Sequence, residues 1–71
     1  MVYTLTNQEK SEIISQHIKA LEYSKFNHQV NLIEENSIPE PASSIVTDIQ
    51  NQIENANLKI AALVLELSEI S

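Results

Sequence analysis

A chain of 71 residues has room for one domain and barely enough length to bury a hydrophobic core, so any stable fold needs some further source of burial. Cysteine and glycine are both absent. That excludes disulfides, thiolate chemistry and Cys-based zinc sites, and also glycine-dependent phosphate loops and nucleophile elbows. Ten acidic residues stand against four lysines and no arginine, and the formal net charge of -6 repels nucleic-acid phosphates and anionic membranes.

The opening Met1-Val2-Tyr3-Thr4-Leu5 lacks a basic region followed by a long apolar run, so a secretory signal is not expected. No stretch approaches the ~20 apolar residues that cross a bilayer, and the expectation is a soluble protein of the cytoplasm. The segment is too short to form a sheet alone; it either frays or packs as an arm over the open end beside Leu67 and Ile70, and the arm is the favoured reading because Tyr3 and Leu5 would otherwise be exposed.

Thr6 followed by Glu9 has the spacing of a capping box, in which hydroxyl and carboxylate each satisfy a backbone N–H at a helix start. The first helix is therefore predicted over residues 7–36, uninterrupted by proline or glycine and roughly 45 Å long at ~1.5 Å per residue. Asn36 is a candidate left-handed residue at its end, residues 37–40 form the turn, and Pro41 suits the first position of a second helix running to residue 69.

The second helix carries the strongest pattern in the chain. Ala42, Val46, Ile49, Ile53, Ala56, Ile60, Leu63, Leu67 and Ile70 recur at alternating steps of four and three, a 3.5-residue repeat that stays on one side of a helix only if the helix coils around a neighbour. The first helix supplies a matching row in Ile14, Ile18, Leu21, Lys25, His28 and Leu32. Folding back at residues 37–40 pairs Leu32 with Val46, His28 with Ile49, Lys25 with Ile53, Leu21 with Ala56, Ile18 with Ile60 and Ile14 with Leu63. The paired numbers sum alternately to 78 and 77, so turn and seams specify one antiparallel register. The expected fold is all-α, a single helical-hairpin domain spanning the chain.

A second apolar row on the first helix, Tyr23, Phe26, Val30 and Ile33, needs a second neighbour. Leu58, Ala62 and Leu65 lie off the seam of the second helix, and the two sets are read together as an oligomer or partner interface comprising Tyr23, Phe26, Val30, Ile33, Leu58 and Leu65. The assembly expected is a homodimer forming a four-helix bundle.

The chemistry-bearing residues point away from catalysis. His17 and His28 lack the Glu-x-x-His or His-x-x-x-His spacing that converges two metal ligands on adjacent turns, so no metal, cofactor or catalytic residue is expected. Lys25 on the seam is read as an aliphatic stem along the groove with its ammonium in water, and with His28 as a polar pair that fixes register. Carboxylates gather near the turn (Glu34, Glu35, Glu40) and at the open end (Glu9, Glu12, Glu66, Glu69). Glu34, Glu35, Glu66 and Glu69 lie near helix C-termini, where negative charge is mildly unfavourable. Nothing in the sequence accounts for that placement.

Tyr3-Thr4-Leu5-Thr6-Asn7-Gln8-Glu9-Lys10, His17-Ile18-Lys19-Ala20-Leu21-Glu22-Tyr23, and Leu32-Ile33-Glu34-Glu35-Asn36 before a proline-bearing turn resemble small proteins encoded by marine cyanobacterial viruses, over nearly the whole chain. The resemblance implies a phage-related protein of the host cytoplasm or the virion, with no assigned activity and no catalytic residues to carry over. The leading expectation is a non-catalytic, self-associating interaction or assembly element. The alternative is an acidic inhibitor, a DNA mimic occupying a basic site on a host protein. The carboxylates here are broken by Asn, Gln and Ser rather than set in continuous rows, which favours the first.

Overall fold

Thr6 starts the chain's first helix. In a computed structural model, which describes residues 4–70, the Thr6 hydroxyl accepts from the Glu9 backbone N–H at 3.1 Å, and the Glu9 carboxylate accepts from the Thr6 N–H at 3.0 Å. Helix α1 runs from there over Asn7–Asn36. The Thr6 backbone N–H, and then its side chain, hold the Glu9 carboxyl below the ordinary glutamate value. A depressed carboxyl contributes stability that is present above the ordinary glutamate pKa and is lost as pH falls through the lowered one. Acidification should therefore fray the first turn of α1 before the seam melts. Thr6→Ala should cost about 1 kcal/mol at neutral pH and leave most of the acid dependence in place, because the Thr6 backbone N–H is the larger of the two contributions and survives the substitution, whereas Glu9→Gln should remove it; amide exchange at residues 7–10 followed against pH reads both.

The helix ends differently from the sequence expectation. Asn36 stays helical, the cap is Ser37 at φ -79°, ψ -16°, and no described residue has a positive φ. The reason is local: the Ser37 hydroxyl donates to the Glu34 carbonyl at 2.6 Å and the Ser37 N–H donates to the same oxygen at 3.2 Å. One late carbonyl of α1 is thereby satisfied without a left-handed turn.

Helix α2 spans Ser43–Ile70, so Pro41 lies just outside it rather than at its first position. The carbonyl of Ala42 takes the first helical bond, from the Val46 N–H at 3.0 Å. The N–H of Ala42 donates across the turn to the Glu35 carboxylate at 3.2 Å. Alanine has no side chain with which to cap a helix. Glu35 at the end of α1 supplies the missing acceptor and does for α2 what Glu9 does for α1. This contact also accounts for Glu35 as an acidic residue at a helix C-terminus: antiparallel folding sets it beside the N-terminus of α2, where a carboxylate is favoured.

The same contact fixes the register. Glu35 and Ala42 are the next pair in the series that joins Leu32 to Val46 and His28 to Ile49, and their numbers sum to 77. At mid-length, Leu21, His28 and Ala56 line one groove between the helices; nearer the open end, Ile14 and Ile70 line another. Every residue of the two heptad rows is at least partly shielded from solvent: Ile14, Ile18, Leu21, Lys25, His28 and Leu32 on α1, and the whole row from Ala42 to Ile70 on α2. The architecture is thus an antiparallel two-helix hairpin held by one heptad seam.

That seam is thin. Ala56, 6% exposed and paired with Leu21, is the one buried residue among those described, and no large side chain is fully enclosed. Two round rods in contact shield a strip of each other and leave both flanks of the strip open. The hairpin measures 59 × 20 × 16 Å, and its radius of gyration of 16.7 Å exceeds the roughly 11 Å of a globular chain of this length. Among the described residues, no helix is long and apolar enough to cross a membrane.

Candidate interaction surface

The seam determines where every other side chain points, because each residue advances about 100° around a helix. Tyr23 lies midway between the seam residues Leu21 and Lys25, and Val30 midway between His28 and Leu32, so both face almost directly away from α2. Phe26 and Ile33 follow Lys25 and Leu32 by one position and lean to one side of the same outer edge. Tyr23, Phe26 and Ile33 are exposed, each by 66% or more, whereas Val30 is half-buried. Tyr23, Phe26 and Val30 line one shallow depression on this edge with Ser24 and Asn27, and β-branched Val30 forms part of its wall.

Leu58 and Leu65 are exposed by 63% and 61%. They lie midway between Ala56 and Ile60 and between Leu63 and Leu67, and so face away from α1. The single surface across both helices expected from the sequence therefore does not form: the α1 row and the α2 pair occupy opposite edges of the ribbon. They are also offset along it. In the antiparallel register, residues 23–33 of α1 lie level with the turn half of α2, and residues 58–65 of α2 lie level with the open half of α1. The α1 row is the larger patch, with two aromatics and two β-branched side chains on about three turns.

The polar residues singled out in the sequence are placed as follows. His28, half-buried on the seam, has Nε2 3.3 Å from the hydroxyl of Ser24 one turn earlier. Lys25 is likewise half-buried on the seam, while His17 is exposed and lines a shallow groove with Ala20, Lys59 and Ala62. Among the described residues, no three His, Asp or Glu side chains converge as metal ligands would, and no buried side-chain polar atom lacks a hydrogen-bond partner.

Leu5 lines a groove at the open end with Ile13, Ile14 and Ile70, so the described part of the amino-terminal arm does reach the helix ends. The remainder of the arm, Tyr3 included, lies outside the described residues. Leu5 and Ile13 are nevertheless exposed, as are Ile45 and Val64 along the flanks of the seam.

No protein-family model, curated protein or solved structure matches the chain.

Proposed function

We propose that this chain is a non-catalytic helical interaction element that works by pairing with itself, and that the outer edge of α1 is the surface through which it does so. The observation that carries this reading is surplus surface. The hairpin exposes 5589 Å². A globular monomer of 8.0 kDa exposes about 4,450 Å² on the usual size scaling. The difference, about 1,100 Å², exceeds the ~800 Å² that each partner contributes to a standard protein interface. Part of that surplus is apolar and gathered in one place, where Tyr23, Phe26 and Ile33 stand together with Val30 on one edge.

In this reading the functional unit is a dimer of four helices, and the hairpin is half of a core. The viral resemblance extends the proposal to a phage-related assembly or adaptor protein acting in the host cytoplasm or on the virion. The test is the mass of the purified chain at micromolar concentration by light scattering. The expected value is twice the 8.0 kDa chain mass; a mass of one chain would refute self-association.

A further inference from the structure

We propose that the second copy docks antiparallel, its α1 against the outer edge of this α1, with the twofold axis level with residue 28. This rests on the self-association reading above and specifies its geometry. The row is symmetric about that point. Tyr23 and Ile33 lie five residues to either side of it, and Phe26 and Val30 two residues to either side. In a twofold contact, residue i meets j and residue j meets i. Tyr23 then meets Ile33 of the second copy and Phe26 meets Val30, each pair setting a flat ring on a branched aliphatic side chain.

The flanks obey the same symmetry without a charge conflict. On one side of the row Asn27 faces its own copy, and Ala20 faces Glu34; on the other Gln29 faces its own copy, and Glu22 faces Asn36. An amide both donates and accepts, so Asn27 and Gln29 can each pair with themselves across a twofold axis. No carboxylate meets a carboxylate.

The acidic turn decides between antiparallel and parallel docking. A parallel pair brings the acidic turns of both copies, with Glu34 beside the outer row, to the same end of the dimer. The antiparallel pair separates the two Glu34 residues by about 18 Å along the axis at ~1.5 Å per residue, nearly twice the ~10 Å Debye length at moderate salt. The resulting order is α2, α1, α1, α2, with the two first helices in the centre and Leu58 and Leu65 left on the outside.

Cysteine cross-linking reads this geometry cleanly, since the chain has no cysteine of its own. In the antiparallel dimer residue 27 lies about 3 Å along the axis from its own copy, and residue 19 about 27 Å from its own. Asn27→Cys should form a disulfide dimer under mild oxidation, and Lys19→Cys should not. Both positions are exposed, so both variants should fold, which circular dichroism checks; Gln29→Cys repeats the test from the other flank. Cross-linking through residue 19 would overturn the antiparallel geometry in favour of a parallel one. Failure of residues 27 and 29 to cross-link in a chain that still scatters as a dimer would overturn this contact while leaving self-association intact. A chain that scatters as a monomer would overturn both.

Discussion

Replacing Ile53 and Ile60 together by Asp is expected to abolish cooperative melting and most of the helical circular dichroism of the chain at 25 °C. Ile53 pairs with Lys25 and Ile60 with Ile18, so both lie on the seam, and both are half-buried. Each substitution removes a side chain worth about 1 to 2 kcal/mol at half burial and sets a carboxylate in a strip that offers it little solvent, at a further cost of about 1 to 2 kcal/mol. The sum, roughly 4 to 8 kcal/mol, matches or exceeds the ~3–5 kcal/mol that a core of this size supplies. The Lys25 ammonium would recover part of the loss at residue 53 and none at residue 60, which makes Ile60→Asp the more damaging single change. Leu58→Asp introduces the same chemistry two residues away on the outer edge and should leave the helices intact. Wild-type melting in the double variant would mean that something other than the 3.5-residue seam holds the hairpin together.

The second large effect is on association. Phe26→Glu with Val30→Glu places four carboxylates at the centre of the proposed contact, two from each copy, where two apolar pairs should stand. Loss of an anchor contact at the centre of an interface costs about 2 kcal/mol, and two symmetry-related Phe26–Val30 contacts are lost, so the dimer constant should weaken by about 4 kcal/mol, roughly a thousandfold. At micromolar concentration the scattering mass should fall to that of one chain. The matched pair Leu58→Glu with Leu65→Glu, on the opposite edge, should leave the mass unchanged. The reverse pattern would move the contact to α2.

Both expectations descend from features legible in the sequence. The uninterrupted run of steps from Ala42 to Ile70 located α2 and its inward face, and the row from Ile14 to Leu32 located the inward face of α1. Their common register foretold the pairing that the contact between Glu35 and Ala42 now displays. Thr6 and Glu9 were legible because a capping box needs only two residues at fixed spacing.

What was not legible depends on distances across the fold. Pro41 suits the start of a helix by its own conformation, yet α2 begins at Ser43, and the Ala42 N–H just before it is taken by the carboxylate of Glu35, seven residues earlier in the chain. Asn36 reads as a left-handed helix end because asparagine tolerates that backbone region. The Ser37 hydroxyl reaching back to Glu34 removed the need. The outer rows were each visible as apolar spacing, but their placement on opposite edges follows only once the seam assigns each helix an inward direction.

The most direct measurement is thermal melting over a hundredfold range of chain concentration. If the hairpin is half of a core and folds as it pairs, Tm should rise with concentration. Mass action over that range is worth about 2.7 kcal/mol, a shift of roughly 5–10 °C for an assembly of this size. A Tm that stays constant across the whole range would show that one seam between two helices is sufficient by itself, and that the exposed row on α1 is not waiting for a second copy.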